Sequence, residues 1–188
     1  MTIPNAFELP PDLPRPVDDG ACRHLAGMQL PSLRLASTAG RMVDLAALPA
    51  RRTVIYCYPM TGVPGLALPE GWDLIPGARG CTPQSCGFRD HAAELAQLGA
   101  IVFGLSTQST DYQREMAERL HLPFEVLSDA SFELIGALRL PTFEVEGRRL
   151  IRRLTLIVRD GAIEHVFYPV FPPDESAAEV ARWLRANI

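Results

Sequence analysis

The sequence predicts an α/β domain in which helices flank both faces of a central mixed β-sheet. Three observations lead to this prediction. Runs of β-branched and aromatic residues alternate with helical patterns, glycines and prolines separate them, and hairpin patterns occur near both ends. The 188 residues suffice for one domain with a substantial core. Apolar residues make up 47% of the chain and charged residues 21%, which are ordinary globular values.

The first part of the chain combines an arm, a hairpin, a strand and a long loop. Residues 1–28 are rich in proline and are predicted to form an arm that lies over the domain or a loose tail, with the domain itself over 29–188. The alternation from Ser32 to Leu48 predicts an N-terminal hairpin extension of the sheet. Arg52 to Pro59 read as a buried strand. Residues 60–80 are rich in Gly and Pro and are predicted to be an inserted loop, a feature that is often functional.

After this loop, strands and helices alternate with short connections. A helix is predicted to end at a glycine, and another to begin at a serine or threonine cap. The predicted elements are a helix over Thr82–Leu98, a strand over Ala100–Ser106, a helix over Ser109–Leu120, a strand over Phe124–Asp129, a helix over Ser131–Leu138, a hairpin over Arg152–Tyr168 and a last helix capped at Asp174.

Charge and composition exclude several classes of function. The net charge of −4 gives no sign of nucleic-acid binding, and no apolar run has the length of a membrane span. Because the first residues lack the pattern of a secretory signal, we expect a cytoplasmic protein. Four cysteines are too few for a disulfide scaffold. In a reducing cytosol any disulfide would be transient and catalytic rather than structural.

Two of the cysteines stand five positions apart in the stretch GCTPQSCGFRD, and their spacing suggests redox chemistry. Cys81 is predicted at the mouth of a helix, where free N–H groups and the helix dipole favour thiolate over thiol. Five helical residues separate Cα atoms by about 8.6 Å, whereas a disulfide needs roughly 4.4 to 6.8 Å. Cys81 could therefore bond Cys86 only if the helix start unwinds. This geometry favours a cycle in which a thiolate is oxidised to sulfenic acid and then condenses with the second thiol.

Other interpretations of the cysteines have less support. His24, Cys81, Cys86 and His91 could be assembled as metal ligands on paper, but no C-x2-C or H-x3-H spacing accompanies them, so we do not expect a metal site. A thioredoxin-type dithiol exchanger would need C-x-x-C, which the chain lacks. Cys57 is expected to be a core thiol, and Cys22 to be an unpaired bystander.

Several motifs together resemble the peroxiredoxins, especially the bacterioferritin-comigratory (peroxiredoxin Q) type. The resemblance rests on YP followed by GCTPQSCGFRDHAAEL, on GAIVFGLST, on LPFEVLSD and on RRLTLIVRDGAIEHVF, and it covers roughly residues 31–188. It implies a thioredoxin-like fold and a peroxide reductase without a prosthetic group. It further implies that Cys81 is the peroxidatic cysteine, that Cys86 is the resolving one, and that Arg153 holds the thiolate and polarises the peroxide bond.

The sequence departs from the family pattern just before Cys81. The family carries Pro-x-x-x-Thr/Ser-x-x-Cys, but the third residue before Cys81 is Ala78. Thr61, about twenty residues upstream in YPMTG, is the candidate to fold back and supply the hydroxyl; a backbone group could equally replace it. In the loop, Trp72 and Leu74 could line a substrate pocket or pin the loop, and pinning is the favoured interpretation.

The resemblance implies a thiol peroxidase for hydrogen peroxide or organic hydroperoxides. A thioredoxin-like or glutaredoxin-like protein would restore the Cys81–Cys86 disulfide, and the protein would be a monomer or homodimer with no nucleic-acid or membrane partner. The alternative is a redoxin-fold sensor or binding protein that oxidises once and changes its affinity for a partner. Turnover distinguishes the two hypotheses.

Overall fold

The computed structural model describes residues 9–49 and 51–187, and its elements follow the predicted alternation. The strands are β1 (Arg34–Ser37), β2 (Met42–Asp44), β3 (Arg52–Cys57), β4 (Ala100–Ser106), β5 (Val126–Ser128), β6 (Thr142–Val145), β7 (Arg148–Ile151), β8 (Leu154–Arg159) and β9 (Ala162–Phe167). The helices are α1 (Cys81–Asp90), α2 (Ala92–Gln97), α3 (Thr110–Arg119), α4 (Glu133–Leu138) and α5 (Ser176–Ala186). Short 3-10 turns form at Leu45–Ala47, Trp72–Leu74 and Pro173–Glu175.

The strands confirm the predicted mixed sheet. Within the described residues, seven strands pair in the order β2-β1-β5-β4-β3-β8-β9. Strands β3, β4 and β5 are parallel, whereas β1, β8 and β9 pair antiparallel to their neighbours. Both predicted hairpins are present as β1–β2 and β8–β9. No helix of the described residues is long and apolar enough to cross a membrane.

Each face of the sheet carries its own apolar core. Along β3, Ile55 and Cys57 belong to one buried cluster and Val54 and Tyr56 to the other, as the alternation of side chains in a strand requires. The cluster of Val54 and Tyr56 takes buried residues from α1, α2, α3 and α5. The opposite cluster takes them from α4 and from the residues that precede β1. Helices therefore contribute to the cores on both faces.

The segment before β1 is packed into the domain. Leu25 is fully buried, and Cys22 and Leu30 belong to the same cluster. The Gly27 amide donates to the Ile163 carbonyl at 2.8 Å, and the Leu30 amide donates to the Gly161 carbonyl at 2.8 Å. The predicted boundary after residue 28 lies within this packed segment.

Two helix predictions were wrong in detail. The helix predicted over Thr82–Leu98 is divided at His91, where both the backbone amide and the ring Nδ1 contact the Gly87 carbonyl and the backbone leaves helical geometry. The last helix is not capped by Asp174, because a 3-10 turn occupies Pro173–Glu175 and α5 begins after it. The predicted cap of α3 is confirmed: Ser109 accepts a hydrogen bond from the Tyr112 amide.

A second, two-stranded sheet supports the inserted loop. Strands β6 and β7 pair antiparallel around a turn at Glu146-Gly147, both with positive φ. This hairpin was not predicted from the sequence. Met60, Trp72 and Ala78 of the loop region form a small buried cluster with Val145 and Leu150 of the hairpin. The loop is therefore irregular, as predicted, and has a core of its own.

The start of α1 depends on a glycine. Gly80 precedes the helix with φ 101°, a left-handed conformation that favours glycine. A Cβ at this position would collide with Pro173 Cγ and would lie 2.8 Å from Leu9 Cδ2. Close packing against the turn before α5 thus fixes where α1 begins.

We expect Gly80→Ala to destabilise the fold by more than the backbone strain alone, which is about 1–2 kcal/mol. The additional loss comes from the collision with Pro173. The matched control is Gly99→Ala, because Gly99 has a similar φ of 77° but nothing within 4 Å of the added Cβ. Thermal unfolding of both variants checks this: equal losses of Tm would contradict the proposed packing role of Gly80.

Candidate active site

Cys81 is the first residue of α1 and lies at the inner end of a cavity. Its side chain is only 3% exposed, and it lines a cavity of about 540 Å³ together with the inserted loop. Cys81 belongs to the first turn of the helix, whose backbone N–H groups have no partner within the helix and favour a nearby anion. The positive end of the helix dipole acts in the same direction, so this position favours negative charge on sulfur.

Arg153 brings a buried positive charge to this sulfur. Its Nη2 donates to Cys81 Sγ at 3.2 Å, and its side chain is 3% exposed. The same nitrogen donates to the carbonyls of Ala78 and Arg79, each at 3.1 Å, and Nε donates to Gly77 O at 3.2 Å. Nη2 has two hydrogens for three acceptors, so the acceptors share them. Because a hydrogen bond to an anion is stronger than one to a neutral acceptor, the bond to sulfur strengthens when the sulfur becomes an anion.

Gln84 completes the arginine's environment and was not identified from the sequence. Its Oε1 accepts a hydrogen bond from Arg153 Nη1, and its Nε2 donates to Ser176 Oγ at 3.4 Å. Gln84 follows Cys81 by three positions, a spacing that places both on one face of a helix. That spacing could have indicated it. Arg152, one residue before Arg153, turns away and donates to the Thr142 carbonyl.

Thr61 also lines the cavity, but its hydroxyl bonds elsewhere. The hydroxyl donates to Gln108 Oε1 at 3.3 Å, and the Thr61 amide donates to the same oxygen at 3.0 Å. The Thr61 carbonyl accepts from Tyr112 Oη at 2.9 Å. Since a hydroxyl has one proton, this arrangement holds Thr61 as part of the cavity wall and directs its proton away from Cys81.

Cys86 lies in the same unbroken helix. The described cysteines are all free thiols, and Cys86 is half-buried against the core beneath α1. Burial raises the pKa of the Cys86 thiol, and Asp90 adds to this, whereas Arg89 and Arg119 oppose it. Cys86 is therefore held as a neutral thiol while α1 is intact.

Buried contacts of Tyr56, in strand β3, hold this helix to the sheet. The Tyr56 ring stacks on Phe88 with centroids 4.3 Å apart, and its hydroxyl donates to Ser85 Oγ at 3.1 Å. Ser85 and Phe88 stand on either side of Cys86 in the chain. Any movement that brings Cys86 to Cys81 must therefore disturb the contacts of Tyr56.

The two other cysteines are buried away from this cavity. Cys57 is fully buried, which confirms the predicted core thiol, and burial raises its pKa. Cys22 is 7% exposed, and burial, with smaller contributions from Asp19 and Asp18, raises its pKa to about 12. Both are consequently protonated at neutral pH. Among the described residues, no group of three or more His, Cys, Asp or Glu side chains is placed to hold a metal ion.

The chain is similar in sequence to proteins of the Redoxin family. The Redoxin family profile matches residues 25–181. The chain is 30% identical to peroxiredoxin Bcp of Escherichia coli K12 over 86% of its own length and 96% of the relative's. It is 26% identical to a putative chloroplastic peroxiredoxin Q of Oryza sativa subsp. indica over 85% of its length, and this match spans only 66% of the longer rice protein.

A solved structure supports the fold. The crystal structure of peroxidoxin BcpB from Mycobacterium tuberculosis superposes with a TM-score of 0.70 at 25% identity, covering 87% of this chain and 98% of that one. The predicted thioredoxin-like fold, with its mixed sheet flanked by helices, is thereby confirmed.

We expect Arg153→Met to slow the reaction of Cys81 with iodoacetamide by roughly tenfold to a hundredfold, the loss of one hydrogen bond to a charged group. The sulfur loses the cation 3.2 Å away that stabilises its anion. Arg153→Lys, which keeps the charge but not the planar set of donors, should give an intermediate rate. Circular dichroism checks that both variants fold. A folded Arg153→Met protein that reacts at the wild-type rate would disprove the role.

Proposed function

Because the chain belongs to the redoxin family, as a peroxiredoxin of the bacterioferritin-comigratory type, we propose that it reduces peroxides with Cys81 as the attacking thiolate and Cys86 as the resolving thiol. One observation carries the assignment of Cys81. Its sulfur lies 3.2 Å from a buried guanidinium, at the start of a helix and at the end of an open cavity. Of the cysteines in the described residues, Cys81 is the one that combines these features.

The first step oxidises Cys81. The thiolate attacks the terminal oxygen of the hydroperoxide, the S–O bond forms, and the O–O bond breaks. Sulfur loses two electrons to become sulfenic acid, and the leaving oxygen takes up a proton to become water or an alcohol. Arg153 stabilises the anion before attack, and its Nη2 is positioned to stabilise charge that develops on the peroxide. Thr61 lines the same cavity as Cys81.

The second step joins Cys81 and Cys86. The Cys86 sulfur attacks the sulfenic sulfur, a disulfide forms, and hydroxide leaves as water. With α1 intact the two Cα atoms are about 8.6 Å apart, beyond the roughly 4.4 to 6.8 Å of a disulfide. The first turns of α1 must therefore unwind, which also releases Cys86 from the surroundings that raise its pKa.

A dithiol protein completes the cycle. A thioredoxin-like or glutaredoxin-like reductant attacks the disulfide, returns two electrons and is itself oxidised. We place this reaction in the cytoplasm, where such reductants keep thiols reduced.

We expect Cys81→Ser to abolish peroxide consumption and Cys86→Ser to stop after one equivalent. In Cys86→Ser the sulfenic acid has no partner, so it accumulates and is trapped by dimedone, as mass spectrometry would show. Cys22→Ala is the control and should turn over normally.

Turnover is followed as NADPH consumption with thioredoxin and thioredoxin reductase. Normal turnover of Cys86→Ser would exclude Cys86 as the resolving residue. A wild-type protein that consumes one equivalent of peroxide and then stops would favour the sensor over the enzyme.

We expect Tyr56→Phe to accelerate disulfide formation by about twofold to tenfold, the net value of one hydrogen bond. The variant keeps the stacking on Phe88 but loses the hydrogen bond to Ser85 that stabilises the helical conformation of α1. Ser85→Ala removes the same bond from the other side and should act in the same direction. If the bond is the cause, the double variant is no faster than the more rapid single variant. Stopped-flow measurement after one equivalent of peroxide tests this, and an unchanged rate in both single variants would contradict it.

A further inference from the structure

A stretch near the N-terminus lies against the segment that leads into α1. Residues 9–19, here called the strap, precede the match to the Redoxin profile and contain no helix or strand. Leu9 packs against Gly80, because a Cβ added to Gly80 would lie 2.8 Å from Leu9 Cδ2. Pro16 packs against Gly77, where an added Cβ would lie 3.6 Å from Pro16 Cβ and Cγ. Both contacts therefore lie within the four residues before the active-site cysteine.

The two glycines belong to the backbone that holds Cys81 in place. The Gly77 carbonyl accepts a hydrogen bond from Arg153 Nε at 3.2 Å, and Nη2 of the same arginine donates to Cys81 Sγ. The Gly80 carbonyl accepts from the Gln84 amide at 3.0 Å, which closes the first turn of α1. The strap thus contacts both the support of the guanidinium and the start of the helix.

Other contacts attach the strap to the surface of the domain. Arg15 Cζ lies 5.3 Å from the centroid of the Phe171 ring, and Tyr168 Oη donates to Asp19 Oδ1 at 3.0 Å. Arg15 and Asp19 are both exposed, and contacts between exposed side chains contribute little stability. The strap can therefore detach locally while the domain stays folded.

The inserted loop is anchored elsewhere. Trp72 is 3% exposed in the small cluster of the second sheet, with its ring centroid 6.2 Å from that of Phe143. Leu74 is 79% exposed. The predicted pinning role is thus confirmed for Trp72 and is wrong for Leu74. Beyond Trp72, the strap covers the returning end of the loop at Gly77 and Gly80.

We propose that the strap is a positioning segment that stabilises the helical start of α1 and so slows the approach of Cys86 to Cys81. The inference rests on the proposed function, in which α1 unwinds before the disulfide forms. Unwinding displaces the two glycines, so Leu9 and Pro16 lose their contacts. The strap therefore lowers the fraction of molecules in which the start of α1 is unwound, and the disulfide forms only in that fraction.

The alternative role of the strap is to exclude water from the guanidinium. Pro16, Gly77 and Arg153 line a space of about 10 Å³, which has room for one water molecule at most. Shielding alone would change the reactivity of Cys81 and leave the unwinding of α1 unchanged. The position of Leu9 favours the proposal, because Leu9 does not line this space and packs against the start of the helix itself.

The test measures the disulfide-forming step in the reduced full-length chain after one equivalent of hydrogen peroxide. Samples are quenched in acid at timed intervals, and the Cys81–Cys86 disulfide is quantified by mass spectrometry. We expect Leu9→Ala and Pro16→Ala to raise the first-order rate constant about threefold to tenfold, because each methylene that loses its burial changes an equilibrium by a factor of about four. Leu9→Met restores the apolar volume and should return the rate constant to within about twofold of the wild-type value.

Two control variants separate the contacts of the strap from general effects. Val17→Ala shortens a side chain of the strap that is 78% exposed, and it should leave the rate constant unchanged. Gly99→Ala strains a distant turn with φ 77°, so it should lower Tm without accelerating the disulfide step. Hydrogen exchange of the Gln84 amide in the reduced protein should accelerate in Leu9→Ala and Pro16→Ala by a factor similar to that of the rate constant.

The outcomes separate this inference from the proposed function. Unchanged rate constants in both strap variants would overturn the inference, as would an equal acceleration in Gly99→Ala. If both strap variants react more slowly with iodoacetamide but form the disulfide at the wild-type rate, the strap shields Arg153 and the inference is wrong. These three outcomes leave the peroxidase function in place. If the wild-type protein oxidises Cys81 but never joins it to Cys86, the proposed resolving step and the inference both fail.

Discussion

The buried guanidinium of Arg153 connects three parts of the chain that are distant in sequence. It comes just before β8, it bonds the carbonyls of residues 77–79 at the end of the inserted loop, and it bonds Gln84 and Cys81 in the first turns of α1. A buried charge is costly unless hydrogen bonds surround it, so these partners cannot be arranged independently. The same contacts that satisfy the cation therefore position the sulfur, and local folding and reactivity have one cause.

In the proposed cycle, helix α1 has to be rigid for the first step and mobile for the second. Gly80 fixes its start against Pro173, and Tyr56 holds its middle through Phe88 and Ser85. These contacts keep Cys81 beside the guanidinium. They also oppose the unwinding that the proposed reaction of Cys86 requires. The helix is short, and it ends at His91 instead of continuing into α2. The proposed unwinding can therefore be confined to one ten-residue helix and leave the core beneath α2 in place.

The sequence was sufficient for most of the fold and for the position of Cys81 at the start of a helix. Strand and helix periodicity gave the order of elements, and the position of Cys81 at a helix start followed from its motif. Gln84 was missed because its spacing from Cys81 indicates a shared helix face but no chemistry until its partner, 69 residues away in sequence, is known. The β6–β7 hairpin was missed because its strands are short and its turn, Glu146-Gly147, lacks the usual Asn or Asp before Gly. The hydrogen-bond partner of the Thr61 hydroxyl is Gln108, which lies 47 residues away in sequence, so no local pattern could predict it.

The position of the insertion explains why it changes the entrance more than the chemistry. The loop leaves the sheet after β3 and returns at Gly80, so both of its ends are held by structure that the site already requires: Thr61 by Gln108 at one end, and the carbonyls of residues 77–79 by Arg153 at the other. Extra residues between two fixed ends must bulge outward, and here they do so over the second sheet, where Trp72 is buried. The backbone carbonyls that bond Arg153 remain in place at the returning end. The added residues are thereby free to form the wall of the cavity beside Cys81, and that wall is largely apolar.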